Sequence, residues 1–179
     1  SFETTLGDIQ LTDPGKFLKL RSDQYSSSEG PSGTKVLSHL VGTYGLEISG
    51  VSTDQAIEMA LDTKVAKVNI VDSAQNIADK LNELQDLGLK VNTIKTDNVN
   101  DILFKISGEK LQRDAAVIGK IYKGYQLAVF NIDSGTALSV KSNKKIVSLD
   151  IVDTAAGISK NMALLGKLGN QLHSLQITD

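Results

Sequence analysis

Two histidines, no cysteine and a handful of aspartates set beside serine or threonine are the residues of this 179-residue chain from which chemistry could be built. Zinc or iron sites need several histidine, cysteine or carboxylate ligands at fixed spacing, and His39 and His173 each stand without a second histidine or a carboxylate at such spacing. Both read as helix-surface or strand-edge side chains. The absence of cysteine removes disulfides, thiolate zinc sites and cysteine nucleophiles together. A serine nucleophile of the hydrolase type needs a strained Gly-x-Ser-x-Gly turn, which does not occur. Gly119, Gly124 and Gly135 are scattered, with neither a Gly-x-Gly-x-x-Gly loop nor a P-loop lysine to cradle phosphate. The carboxylates are what remain. Asp72 and Asp153 each close a β-branched apolar run and open a helical pattern. That position is the carboxyl end of a strand, where α/β sheets gather ligands and where a carboxylate could hold a cation. The same residue is also a good helix N-cap, contributing about 1 kcal/mol with no ligand. We read both as caps, with the cation site as the rival reading.

The elements that position these residues occur twice. Placing Val36–Gly88 over Val117–Gly169, a shift of 81 residues without a gap, gives 13 identities in 53 positions. Chance would give roughly three, so the period is real. Leu81 pairs with Met162, Leu40 with Ile121, Ile48 with Val129 and Val65 with Ile146, apolar for apolar. The strongest block sets Ile70-Val-Asp-Ser-Ala-Gln-Asn-Ile77 against Ile151-Val-Asp-Thr-Ala-Ala-Gly-Ile158. Beyond it Ile77, Leu81, Leu84 and Leu87, and likewise Ile158, Met162, Leu165 and Leu168, fall at helical spacing as one apolar stripe. The spacing predicts a helix capped by Asp72 or Asp153, with Gln75 completing a capping box in the first copy. Gly88 and Gly169 are expected to stop it in a left-handed C-cap.

After each glycine a short strand ends in Thr-Asp, at Thr96-Asp97 and Thr178-Asp179, and the same ending occurs at Thr12-Asp13. These aspartates read as turn residues. Residues 1–13 are therefore expected to be the last strand of a preceding repeat, 14–97 a first unit and 98–179 a second. Ser1 is not an initiator methionine, so the chain is expected to be an excised or processed piece. Within a unit, Ile102-Leu-Phe-Lys-Ile106 and Tyr125-Gln-Leu-Ala-Val129 alternate as half-buried strands, and Leu18-Lys-Leu20 and Leu46-Glu-Ile48 stand in for them in the first unit. Leu111, Ala115, Ile118 and Ile121 form a second helical stripe. The Ser26–Gly33 stretch reads as a loop, and residues 52–64 and 133–145 are left without an assigned form. Tyr44 and Tyr125 recur at a strand start, as core-edge packing or as a carbohydrate-stacking platform. The fold class is α/β. Each unit is strand–helix–strand twice over, with parallel strands and right-handed crossovers. Units that stack into one array are the expected architecture. Two split βαβ, ferredoxin-like domains are the alternative.

Composition supports a folded protein with a core of Leu, Ile, Val and Ala: 40% of residues are hydrophobic, 4% aromatic and none is Trp. Net charge is −2 with the signs well mixed, so there is no basic stripe for nucleic acid, and the Lys141–Lys145 run reads as a solvated loop. No stretch approaches the ~18 apolar residues of a membrane span, and no secretory signal is present.

The Val-x-Asp-[Ser/Thr]-Ala-x-x-Ile pattern, followed by the leucine stripe, Leu-Gly and a strand ending in Thr-Asp, resembles repeats of very large exported bacterial proteins. Those are surface-associated or type I secreted, of the RTX or adhesin-like kind. The resemblance covers residues 65–97 and 146–179 best. It implies a non-enzymatic spacer or adhesive module, secreted or on the cell surface. Its partners would be neighbouring repeats of the parent chain and a surface protein or glycan. It implies no cofactor and no catalytic residue. Calcium bridging through Asp72, Asp153 and the Thr-Asp aspartates would make a cation-stabilised adhesin, although the Gly-Gly-x-Gly-x-Asp nonapeptide of β-rolls is absent. The rival expectation is a ligand-binding or enzymatic domain with a site between the units. In that case the copies should diverge in polar residues along one edge; they do, as in Asp54-Gln55 against Gly135-Thr136, and drift accounts for this equally well.

Overall fold

The structure is a computed structural model that describes residues 7–10, 12, 17–29, 36–98 and 102–179. Asp13 and residues 30–33 of the expected Ser-rich loop lie outside the described residues. The strands are β1 (Ile9–Gln10), β2 (Phe17–Arg21), β3 (Leu40–Val41), β4 (Gly45–Val51), β5 (Val65–Asp72), β6 (Val91–Thr96), β7 (Ile102–Ser107), β8 (Tyr125–Ile132), β9 (Ile146–Asp153) and β10 (Leu172–Ile177). The helices are α1 (Ser22–Glu29), α2 (Thr53–Met59), α3 (Ala74–Asp79), α4 (Leu81–Asp86), α5 (Gly108–Arg113), α6 (Ala115–Ile118), α7 (Ser134–Val140) and α8 (Ala155–Leu165). The chain forms two compact units, residues 1–71 with 87–94, and residues 72–86 with 95–179.

In the first unit a sheet runs β2-β4-β5-β6, with β2 parallel to β4 and β4 to β5. A small parallel pair joins β1 to β3. In the second unit β7, β8, β9 and β10 lie in chain order, all parallel. Adjacent parallel strands joined by right-handed crossovers put every connecting helix on the same face of the sheet. β8 shows the consequence: Tyr125, Leu127 and Val129 are buried on that face while Gln126 and Phe130 are exposed on the other. Lys105 points outward from β7, as its alternation predicts. This order corrects the split βαβ alternative, which needs a strand inserted between the two that the helix connects. Here β7, β8, β9 and β10 each sit beside their neighbour in the chain, as do β4, β5 and β6.

The stretches left unassigned, 52–64 and 133–145, contain α2 and α7. Ser52 caps α2 in a full capping box with Gln55, and Asp133 caps α7 by accepting from the Thr136 N–H at 2.9 Å. The Ser-rich loop is partly helix, since α1 runs to Glu29. The stripe of Leu111, Ala115, Ile118 and Ile121 is also amended: the helix breaks at Asp114, so Ala115 faces solvent and Val117 takes its place in the core.

The two blocks that match at a shift of 81 residues both fold as strand, then helix, then strand. In the first copy the helix is interrupted at Lys80, giving α3 and α4, and Ile77, Leu81 and Leu84 are fully buried. In the second copy α8 is continuous, Ile158 and Leu165 are buried, and Met162 is 56% exposed. Gly88 and Gly169 both take φ of 55°, beyond the reach of most side chains. The helix itself ends earlier than expected, at Asp86 and Leu165, and tightens into a 3₁₀ turn before the strand.

Candidate functional site

Asp153 is the last residue of β9, and its carboxylate is engaged by three donors. Oδ2 accepts from the Ser134 N–H at 3.0 Å and the Ser134 hydroxyl at 2.5 Å, and Oδ1 accepts from the Thr154 N–H at 2.7 Å. Ser134 is fully buried and accepts in turn from Asn161 Nδ2 at 2.8 Å. The cluster therefore ties the end of β9 to the first turns of α7 and α8. Hydrogen bonds from Ser134, first its hydroxyl and then its backbone N–H, hold the Asp153 carboxyl below the usual carboxylate range.

The helix cap lies one residue further on than expected. Ser73 and Thr154 accept from the Asn76 and Gly157 N–H groups at 3.1 Å and are the N-caps. Gln75 bonds to Asp79 at 2.8 Å and takes no part in a capping box. Asp72 accepts instead from the Ser73 N–H at 2.7 Å and the Asn76 amide at 2.8 Å. Asp97 and Asp179 close the same corners. The Asp97 N–H donates to Asp72 O at 3.0 Å, the Thr178 N–H to Asp153 O at 3.1 Å, and Asp179 Oδ1 accepts from the Ala155 N–H at 2.7 Å. The Asp72, Asp153 and Asp179 carboxylates thus accept hydrogen bonds at strand and helix ends, and Asp97 joins through its backbone N–H. Among the described residues no three His, Asp or Glu side chains converge as metal ligands.

A second polar cluster escaped the sequence reading. On the exposed β9–β10 ladder, His173 Nδ1 lies 2.6 Å from Asp150 Oδ1 and the Ser174 hydroxyl donates to that same oxygen at 2.5 Å. The residue types are those of a hydrolytic triad, but the order is wrong. Serine and histidine share one carboxylate oxygen and serine donates to no imidazole, so no base stands ready to take its proton. The first unit explains the arrangement. Shifted by 81 residues, Asp150, His173 and Ser174 become Asn69, Asn92 and Thr93. There Asn92 Nδ2 and Thr93 Oγ1 both donate to Asn69 Oδ1 at 2.8 Å. The clasp recurs with its ionisable groups replaced by amides, and what it keeps is the bridge between neighbouring strands. The Ser174 hydroxyl, and after it His173, lower the Asp150 carboxyl below its ordinary range.

The recurrent tyrosines pack at the sheet margin. Tyr125 is 5% exposed, donates to Ile118 O at 3.2 Å, meets Phe104 edge-on at 5.8 Å and lies under Lys145 Nζ at 3.8 Å. Tyr44 donates to Leu37 O at 3.2 Å beneath Lys64 Nζ at 5.2 Å. Lys145, read as part of a solvated run, thus lies over an aromatic face. The Tyr125 ring is too enclosed to serve as a sugar platform.

Two hollows among the described residues of the second unit border polar side chains. One, at the carboxyl ends of β7 and β8, is lined by Glu109, Gln112, Asn131, Asp133 and Thr136 among others. Asn131 has φ of 51°, but its counterpart Gly50 has φ of 73°, and both lie where strand register slips by a bulge, so the strained angle belongs to the bulge. The other hollow is bordered by Lys95, Ile121, Tyr122 and Lys123, with Lys95 Nζ 5.1 Å from the Tyr122 ring centre. His39 lies in a short 3₁₀ turn, Val36–His39.

No protein-family model matches the chain, and neither the curated proteins nor the solved structures give a significant match.

Proposed function

We propose that the chain is a non-enzymatic module of tandem α/β repeats from an exported bacterial protein, in which each unit stacks on the next and the array serves as a spacer or binding surface. One observation carries this reading. The helix pair α3–α4, which follows β5 in the first copy, belongs to the same compact unit as β7–β10 of the second. There α3 packs on β7, and α4 packs on α5 and α6. Lys110 Nζ donates to Ala78 O at 2.7 Å and Asp79 O at 3.0 Å, and the Val117 N–H donates to Gln85 Oε1 at 3.0 Å. A helix that completes its core with elements of the following copy is what stacking requires.

Recurrence of packing, capping and strand clasps, beside the replacement of Asp150 and His173 by amides, favours a structural role over catalysis. The resemblance of the Val-x-Asp-[Ser/Thr]-Ala block supports export and a partner such as a surface protein or glycan. Two measurements test the proposal. Unfolding followed through probes placed separately in the two copies should give coincident transitions, both lowered by Lys110→Ala; two independent transitions would remove the stacking. Antiserum to the purified chain should label intact cells of the source bacterium or its culture medium, and labelling that requires lysis would remove the export.

A further inference from the structure

We infer that the apolar face formed by α8 and β10 is a docking surface, and that it takes the β2 edge of a second copy of this chain, head to tail. The inference deepens the stacking proposed above and rests on it. The α3–α4 pair shows how such a face is filled: with β7, α5 and α6 against it, Leu81 and Leu84 are 0% exposed. The residue at the place of Leu81 in the second copy is Met162, 56% exposed. The residue at the place of Ile94, itself 0% exposed, is Leu175 at 41%, and Ile177 nearby is 52% exposed. Of this register Met162 and Leu175 are bare in the second copy, while Leu165, at the place of Leu84, stays buried at 2% exposed. Exposed apolar side chains on two elements that touch, Met162 on α8 and Leu175 and Ile177 on β10, are what an interaction site presents.

The complementary face is only partly covered. Strand register pairs Phe104 with Leu127 and Ile106 with Val129, and it pairs Leu18 with Leu46 and Leu20 with Ile48. Leu127 and Val129 are the 81-residue counterparts of Leu46 and Ile48, so Leu18 and Leu20 stand where Phe104 and Ile106 stand. Phe104 and Ile106 are each 1% exposed, whereas Leu18 and Leu20 are only half-buried. The second unit therefore offers a socket of the α3–α4 kind, and the first offers a plug of the β7 kind. Socket against plug is a heterologous contact, which does not close on itself and allows continued growth. The lysine clamp is not reproduced, because Gln24 occupies the place of Lys110 when counted on from these strands. Association therefore rests on apolar burial and is weaker than the packing within the unit.

Sedimentation of the full chain between about 1 µM and about 1 mM tests this, the upper limit being where only millimolar affinity would show. The wild type should grow with concentration beyond a dimer. Met162→Lys combined with Ile177→Lys blocks the socket, Leu18→Glu blocks the plug, and each variant alone should remain monomeric. Their equimolar mixture should give a 1:1 dimer and nothing larger. Circular dichroism of each variant checks the fold; if Leu18→Glu does not fold, Leu18→Thr replaces it, with weakened growth as the expected result. A wild type that stays monomeric throughout overturns the proposal, as does a socket variant that still associates. A plug variant that dimerises alone overturns it too, by showing a socket-to-socket contact. None of these failures touches the stacking inside one chain, which is read from its unfolding.

Discussion

At the scale of single residues, carboxylates at strand ends tie neighbouring elements together through hydrogen bonds. The clearest case is Asp153, whose carboxyl is lowered first by the Ser134 hydroxyl and then by the Ser134 N–H. A carboxyl whose folded pKa is depressed stabilises the fold above its ordinary, unfolded range near 3.9, and that contribution disappears as pH falls through the lowered value. Ser134→Ala should therefore raise the Asp153 pKa and lower the melting temperature near neutral pH. The difference from wild type should shrink as acid protonates the carboxyl in both proteins. Carboxyl carbon titration by NMR and melts from pH 7 to pH 2 would check it; a gap that widens in acid would sink the assignment. Asp114 makes the opposite case. It is fully buried between α5 and α6, Oδ1 meets Arg113 Nε at 3.1 Å, and among the described residues Oδ2 has no hydrogen-bond partner. A buried carboxylate with half its lone pairs unanswered costs stability. Asp114→Asn should raise stability by about 1 kcal/mol, seen as a higher urea midpoint, and a drop would show that the Arg113 pairing outweighs the desolvation.

At the scale of elements, close approach decides what composition cannot. Gly157 lies in the first turn of α8, where helix propensity alone would have Ala improve on Gly by about 1 kcal/mol. A Cβ there would sit 2.5 Å from Asp153 Oδ1, inside the carboxylate that Ser134 holds in place. Gly157→Ala should therefore destabilise by about 1–3 kcal/mol. Gly166→Ala, at an αR position with open space around its Cβ, should be neutral or slightly stabilising. A thermal melt of the two variants separates propensity from packing. The same distinction governs what the sequence could reveal. Period-two alternation in Tyr125–Val129 and the spacing of Ile77, Leu81 and Leu84 were legible because burial on one face writes them directly. α2 and α7 were not, since seven residues show too few turns for a helical period to declare itself. The Ser52–Gln55 capping box was the usable signal. Caps were misplaced by one residue because Asp72-Ser73 and Asp153-Thr154 set two good capping residues side by side, and only the backbone turn chooses between them. The Asp150–His173 clasp spans 23 residues and exists only through strand register, which no local pattern encodes.

At the scale of the molecule, one alignment position should carry two different energies. Leu81 and Met162 match at the shift of 81 residues, Leu81 opening α4 and Met162 standing inside α8. If a helix of this kind were complete within its own copy, truncating either side chain would cost a similar amount. Leu81 is 0% exposed in a unit where α4 meets α5 and α6, and Met162 is 56% exposed. Leu81→Ala should then cost about 2–5 kcal/mol, the range for emptying a sealed core site, whereas Met162→Ala should stay within about 0.5 kcal/mol, as surface changes do. Urea midpoints at a concentration where the chain is monomeric would give both values. Similar losses at the two sites would mean that each copy seals its own helix. A large loss at Leu81 alone would mean that the stability of one copy is completed by the next. In that case the energy of the fold would grow with the number of units joined, as in a solenoid whose neighbours share their core.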